Sequence, residues 1–357
     1  MVIRDNLSII AYMTNDIKHK ESKKLNNYIE SKLQAVIDAG LVPKVTQILK
    51  EYSGTPDGNF DILEPCVATI RNLTAGNATQ IKTILDRKNV IVPSMLSILK
   101  TINENVENWS EKSYKEQHKI DSIQTDIFCT IGNIACHSDQ IDFLLESKIM
   151  PAIIDIFGRS DNEDPVIGIY SAEAIQKFIY HGSFPQIVQI LLGDDCIRYL
   201  FKILDHEAES DSYYEGYHRN PILIIIKIIR NLLIKHEKHR QLIKSTDDDR
   251  KKYGLMKYDL FEKIEHYDGI HIIKKLRTLN QPLWFKPKNR DEKKITKATT
   301  NLLNLYTKMK EKIDSEKKVE VVNREMKKVS VNSNQNGNKV LPRRMMLRSS
   351  KKRPLRL

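Results

Sequence analysis

Four residues hold the same place in four apolar helical stretches. They are Asn72 in LEPCVATIRNLTAG (63–76), Asn133 in IQTDIFCTIGNIAC (123–136), Lys177 in VIGIYSAEAIQKFIYHG (166–182) and Asn231 in PILIIIKIIRNLLIKH (221–236). An Asn amide offers a donor and an acceptor, so it can grip a peptide group whatever side chain that group carries. Helix layers about 9–10 Å apart meet an extended chain rising about 3.3 Å per residue, so such a row would hold roughly every third residue of an extended segment. The other use of an amide on an apolar helix is to bridge backbone between neighbouring helices, because buried polar groups need partners. Lys177 and Lys227 on the same faces would repel a basic ligand, or else lie on solvated helix surface.

The elements that must position this row recur along the chain. A short helix is followed by a second that starts with small residues and Pro, and then by the longer helix with the anchor residue. The second helices are AGLVPKVTQIL (39–49), VIVPSMLSIL (90–99), KIMPAIIDIF (148–157) and, without Pro, DCIRYLFKIL (195–204). Pro is tolerated in a first turn because the N–H it lacks has no intrahelical partner there. First helices follow each long helix as ATQIKTIL, SDQIDFLL, SFPQIVQIL and HRQLI. Apolar residues recur at three and four, and no stretch alternates as a sheet strand would, so the expectation is all-α. A unit of this size cannot bury its stripe alone; stacking on neighbours makes the core continuous. Polar insertions at 103–118 and 206–220 lengthen two units, and a divergent last unit runs through YDLFEKIEHYDGIHIIKKLRTL (258–279) and KKITKATTNLLNLYTKMK (293–310). The expected organisation is an N-terminal helix or partial repeat over 1–20, a repeat solenoid over 21–312 and a flexible basic tail over 313–357.

Composition narrows the function classes. The chain has 357 residues, 40% of them apolar, with 13 Gly and 12 Pro, which suits a folded protein with a large core. Lys and Arg outnumber Asp and Glu by 58 to 46, yet residues 315–357 alone carry 13 basic against 3 acidic residues, so the basicity lies in the tail. Cys66, Cys129, Cys136 and Cys196 form no CxxC pair and sit in apolar helical stretches, as buried thiols of a reducing compartment do. The longest apolar run, PILIIIKIIRNLLI (221–234), is interrupted by Lys227 and Arg230 and is too short to span a bilayer. His236 and His239 have the spacing of a metal pair but lack further close ligands. No phosphate-loop, dinucleotide-binding or nucleophile-elbow pattern is present. A non-enzymatic protein without metal or cofactor is the expectation.

The repeating units resemble armadillo repeats, and in detail the C-terminal half of importin-α, the adaptor that carries nuclear-localisation peptides. The resemblance spans roughly residues 25–310 and rests on CVATIRNLTAGNATQIKTIL, TIGNIACHSDQ, SFPQIVQILLGDDCIRYLFKIL with IKIIRNLLIKHEK, and LFEKIEHYDGIHIIKKL, which is similar to that family's closing repeat. It implies a right-handed α-α superhelix whose concave groove holds an extended peptide or protein segment. It also implies that Asn72, Asn133 and Asn231, with Lys177 in the place of a fourth Asn, contact the peptide backbone. Nuclear transport factors are the partners it implies, in the cytoplasm or nucleus. The family's Trp four residues before each Asn is replaced here by Ala68, Cys129, Glu173 and Lys227, and Trp109 and Trp284 fall in loops. Residues 1–40 contain no Arg-rich cluster like the segment that binds importin-β.

The tail, with Arg343, Arg344, Arg348, Lys351, Lys352, Arg353 and Arg356, is open to three uses: a nuclear-localisation signal, phosphate-backbone binding to nucleic acid, and occupation of the protein's own groove. Acidic residues recur in the loops between second and third helices, including Asp57, Asp61, Glu107, Glu111, Glu116, Asp161, Glu163, Asp164, Asp205, Asp211 and Glu215. Stacking would gather them into a rim that the tail could meet. Their local alternative is to offset helix dipoles.

Overall fold

The computed structural model describes residues 23–54, 59–85, 90–104, 113–159, 165–193, 196–209, 221–245, 260–278 and 290–335. Every regular element among them is a helix. Residues 1–306 form one compact unit and residues 307–357 a second.

In the first unit the helices fall into successive groups. The first comprises α1 (Lys23–Asp38), α2 (Leu41–Ser53) and α3 (Phe60–Leu73); the second α4 (Ala78–Ile84), α5 (Ile91–Glu104) and α6 (Tyr114–Ala135). The third has α7 (Ile141–Glu146), entered through a 3-10 turn at Ser138–Gln140, then α8 (Ile149–Arg159) and α9 (Pro165–His181). The fourth has α10 (Phe184–Gly193), α11 (Cys196–Glu209) and α12 (Pro221–Ser245). The remainder is α13 (Leu260–His266), α14 (Gly269–Thr278) and α15 (Arg290–Gln335), of which the residues up to Tyr306 belong to this unit.

Like packs on like. The third helices stack in the order α3, α6, α9, α12, and the second helices in the order α2, α5, α8, α11, α14, while α2, α5, α8 and α11 each also pack on the third helix of their own group. This is an armadillo-type helical solenoid. Its core is a continuous run of side chains such as Leu49, Leu63, Ile70, Ile98, Phe128, Phe157, Phe178, Phe201 and Phe261, all almost wholly buried. Each such side chain contributes about 1.5–3 kcal/mol relative to exposure, and because neighbouring groups pack on one another their burial depends on the stack.

Three of the turns into second helices share one conformation. Gly40, Lys148 and Asp268, the residues just before α2, α8 and α14, all take positive φ, at 67°, 58° and 51°. A left-handed residue reverses the chain in one step, and Gly40 does so without the steric cost a Cβ brings. The prolines of the second helices, Pro43, Pro93 and Pro151, each stand third in their helix, within the turn whose N–H groups are orphans.

Side-chain caps tie the first helices together. Asn77 and Gln80 form a reciprocal capping box at the start of α4, and Gln80 Nε2 also donates to the Glu30 carbonyl oxygen of α1 at 2.8 Å. Gln186 does the same in α10: its Oε1 accepts from Ser183 N at 2.8 Å, and its Nε2 donates to Asp142 of α7 at 2.6 Å.

The last helix, α15, runs to Gln335, into the segment read from sequence as tail. Lys and Glu are good helix formers, and pairs such as Glu320–Arg324 at i and i+4 support a helix that has no apolar stripe to advertise it. The expected N-terminal element over 1–20 lies outside the described residues.

Candidate functional site

The four helices that carry Asn72, Asn133, Lys177 and Asn231 stack consecutively. Asn72 lies in the last turn of α3 and is only 3% exposed. Its Oδ1 accepts from Arg71 Nε at 3.2 Å and Nη2 at 3.1 Å. The same guanidinium pairs through Nη1 with the buried carboxylate of Asp126 on α6. Asn133, half-buried on α6, donates from Nδ2 to the Arg71 carbonyl oxygen at 3.3 Å. Lys177 on α9 reaches back to Asn133 Oδ1, with Nζ at 3.5 Å. Its stem lies over Gly132, where a Cβ would come within 3.0 Å of Lys177 Cδ.

One polar chain therefore runs across three third helices, from Asp126 and Arg71 through Asn133 to Lys177. The amide of Asn133 does bridge neighbouring helices. An amide still has a second N–H and a second acceptor lone pair beyond those two contacts. Asn231, half-buried on α12, continues the row beside exposed Lys227 and Arg230.

Four residues beyond each anchor lies a second row that the sequence reading missed: Gly76, His137, His181 and Lys235. Spacing alone could have found it, since each stands four residues past an anchor, Gly76 and His137 just beyond the ends of α3 and α6, but its mixed residue types concealed it. Lys235 Nζ donates to the Gly182 carbonyl oxygen, at the end of α9. Cations complement the carbonyls exposed at a helix C-terminus. The proton affinity of His181 is lowered from the usual 6.5, first by burial and then by the charges of Lys235, His137 and Lys177. That of Lys235 is lowered by burial and by Lys238. His137 just past α6, Lys177 on α9 and Lys235 midway along α12 thus all lie within electrostatic reach of His181.

The remaining candidates fall elsewhere. His236 and His239 pack against Phe184, with ring centroids 5.3 and 5.1 Å away, and His236 also meets Phe261 at 5.6 Å. Among the described residues no three His, Cys, Asp or Glu side chains gather as metal ligands. Cys66 and Cys196 are buried, which pushes both thiols up to about 12, while Cys129 and Cys136 are half-buried on α6 and at its end. No described helix is long and apolar enough to cross a membrane.

Of the acidic loop residues, Asp61 pairs with Lys119, Glu116 closes a capping box with Ser113, and Asp205 bonds Lys275 at 3.0 Å. Asp57, Glu107, Glu111, Asp161, Glu163, Asp164, Asp211 and Glu215 lie outside the described residues. So do Trp109, Trp284 and the tail residues Arg343, Arg344, Arg348, Lys351, Lys352, Arg353 and Arg356.

No family model and no curated protein matches the chain. Solved structures do. An engineered protein aligns with a TM-score of 0.51 at 13% identity, over 85% of this chain and 90% of its own. A designed armadillo repeat protein in complex with the peptide (KR)4 aligns at 0.48 and 16% identity, over 82% of this chain and 99% of its own. Another structure, of computationally designed armadillo repeat proteins for modular peptide recognition, aligns at 0.49 and 17% identity over the same shares. At such identities the likeness is one of fold.

Proposed function

We propose that this chain is a non-enzymatic binding protein that holds an extended segment of a partner protein along the exposed face of its third helices. The observation that carries this reading is the row Asn133, Lys177 and Asn231 on three consecutively stacked helices, with amide capacity left over at Asn133. Asn72 is closed by Arg71, so the working part of the row runs from α6 to α12. The resemblance to importin-α extends the proposal to an adaptor that works with nuclear transport factors between cytoplasm and nucleus.

Screening the full chain against an array of about twelve-residue peptides, long enough to cross four helix layers, tests the reading. Asn231→Ala should weaken the peptides that bind by about 1 kcal/mol per lost backbone contact. If no peptide binds, or if bound peptides ignore this substitution and Lys177→Ala alike, the reading fails.

The tail supports a second reading, because 13 basic residues against 3 acidic over 315–357 suit a phosphate backbone. In that case the solenoid is a scaffold, and the full chain binds nucleic acid with steep salt dependence that is indifferent to changes on the third helices.

A further inference from the structure

The charges around the row point to the chemistry of the segment it takes, an inference that rests on the peptide-holding reading above. Lys177 occupies an anchor position, and Lys235 the equivalent of His181 and His137 one step along. Lys227, Arg230 and Lys238 are exposed on α12, on the turns that carry Asn231 and Lys235. Against these stand few carboxylates on the same helices. On α6, Glu116 closes the capping box with Ser113, Asp121 accepts from Gln117 at 3.1 Å and Asp126 is buried against Arg71; on α12, Glu237 is buried and bonded to Arg240 and Gln241; on α9, Glu173 stands four residues before Lys177. His181 lies within Coulombic reach of Lys235, His137 and Lys177, whose charges add to burial in lowering its proton affinity.

A Lys/Arg-rich segment laid along this face would meet like charge at every layer from α9 onward, and like-charge juxtaposition is strongly selective against a ligand. An Asp/Glu-rich segment would meet Lys177 on α9 and Lys227 and Arg230 on α12, and still find the amides of Asn133 and Asn231 for its backbone. We propose that the third-helix face from α6 to α12 binds an acidic, extended protein segment and rejects basic ones. A peptide suits the face better than a nucleic acid, because an Asn amide matches the paired donor and acceptor of a peptide group. The protein's own C-terminal segment has the wrong sign to occupy it.

The test uses the full chain and three fluorescein-labelled probes: an alternating Glu-Asp peptide and an alternating Lys-Arg peptide of about twelve residues each, and an oligo-dT of similar length. Anisotropy titrations at about 50 mM salt keep the charge contacts unscreened over short distances. The Glu-Asp peptide should bind at least about tenfold tighter than the Lys-Arg peptide, and lose at least about tenfold in Lys227→Glu/Arg230→Glu. Both residues are exposed, so the variant should keep its helical spectrum and melting midpoint. Lys177→Gln, which changes one charge, should show a smaller loss.

Tighter binding of the Lys-Arg peptide, weakened by Asn231→Ala, would overturn the acidic preference and leave the peptide-holding reading standing. Acidic-peptide binding that ignores the α12 charge reversal would place the contact on the tail and overturn the inference. Oligo-dT bound tighter than the Glu-Asp peptide, with the same sensitivity to the reversal, would overturn the assignment to a protein segment. Absence of any peptide binding would overturn both readings.

Discussion

Arg71 is the residue on which the polar chain of the third helices turns. Its guanidinium satisfies both Asn72 and the buried Asp126, and its carbonyl oxygen receives Asn133. Removing one partner of a buried pair leaves the other charge without compensation, so Arg71→Leu should destabilise the fold by about 3–5 kcal/mol. Urea unfolding of the two proteins measures this, and a loss under about 1 kcal/mol would mean that Asp126 finds water or another partner. The Asn row was legible in the sequence because one residue type recurs at one place in a repeating pattern. Arg71–Asp126 was not, because the partners stand one residue before one anchor and seven before the next, an offset no periodicity reveals. Lys177 was legible as a departure from the row, but its contact with Asn133 needed the register of α6 against α9.

At the scale of elements, the turns and helix ends carry the consequences. Lys148 holds the left-handed position that Gly40 holds in the first group, and a side chain there costs about 1–2 kcal/mol. Lys148→Gly should therefore raise the urea midpoint, corresponding to about 1 kcal/mol, whereas Gly40→Ala should lower it by a similar amount. Equal and opposite shifts would confirm that the two turns are equivalent; a destabilised Lys148→Gly would refute it.

The ends of the third helices predict a pH response. His181 and His239 both have proton affinities lowered from 6.5, by burial in each case. Between their folded values and 6.5 the unfolded chain binds more protons, so stability rises with pH there. It is lost as pH falls from 6.5 through the folded values, with Lys235, His137 and Lys177 opposing the added charge at His181. His181→Gln should flatten part of that fall in melting midpoint between about pH 7 and 5, and an unchanged slope would contradict this. The second helices were read well from sequence because Pro and small residues mark their starts. The reach of α15 was not, since a helix rich in Lys and Glu without an apolar stripe looks the same as a solvated tail.

At the scale of the repeat body, stacking like helix on like converts four separate amphipathic stretches into one face and one core. That architecture was legible because the apolar period and the unit order repeat. The second row was hidden, because Gly76, His137, His181 and Lys235 share only a position. The central claim is that a partner segment lies along the third helices, and Cys129 and Cys136 on and beside that face are built-in reporters of it, while Cys66 and Cys196 are buried. The most direct measurement is the alkylation rate of each thiol, read by peptide mass spectrometry, with and without a saturating Glu-Asp peptide. The account predicts that Cys129 and Cys136 react first in the free protein and slow by at least about tenfold in the complex, since an occupied face excludes the reagent. Unchanged rates at both thiols, with the peptide demonstrably bound, would contradict it.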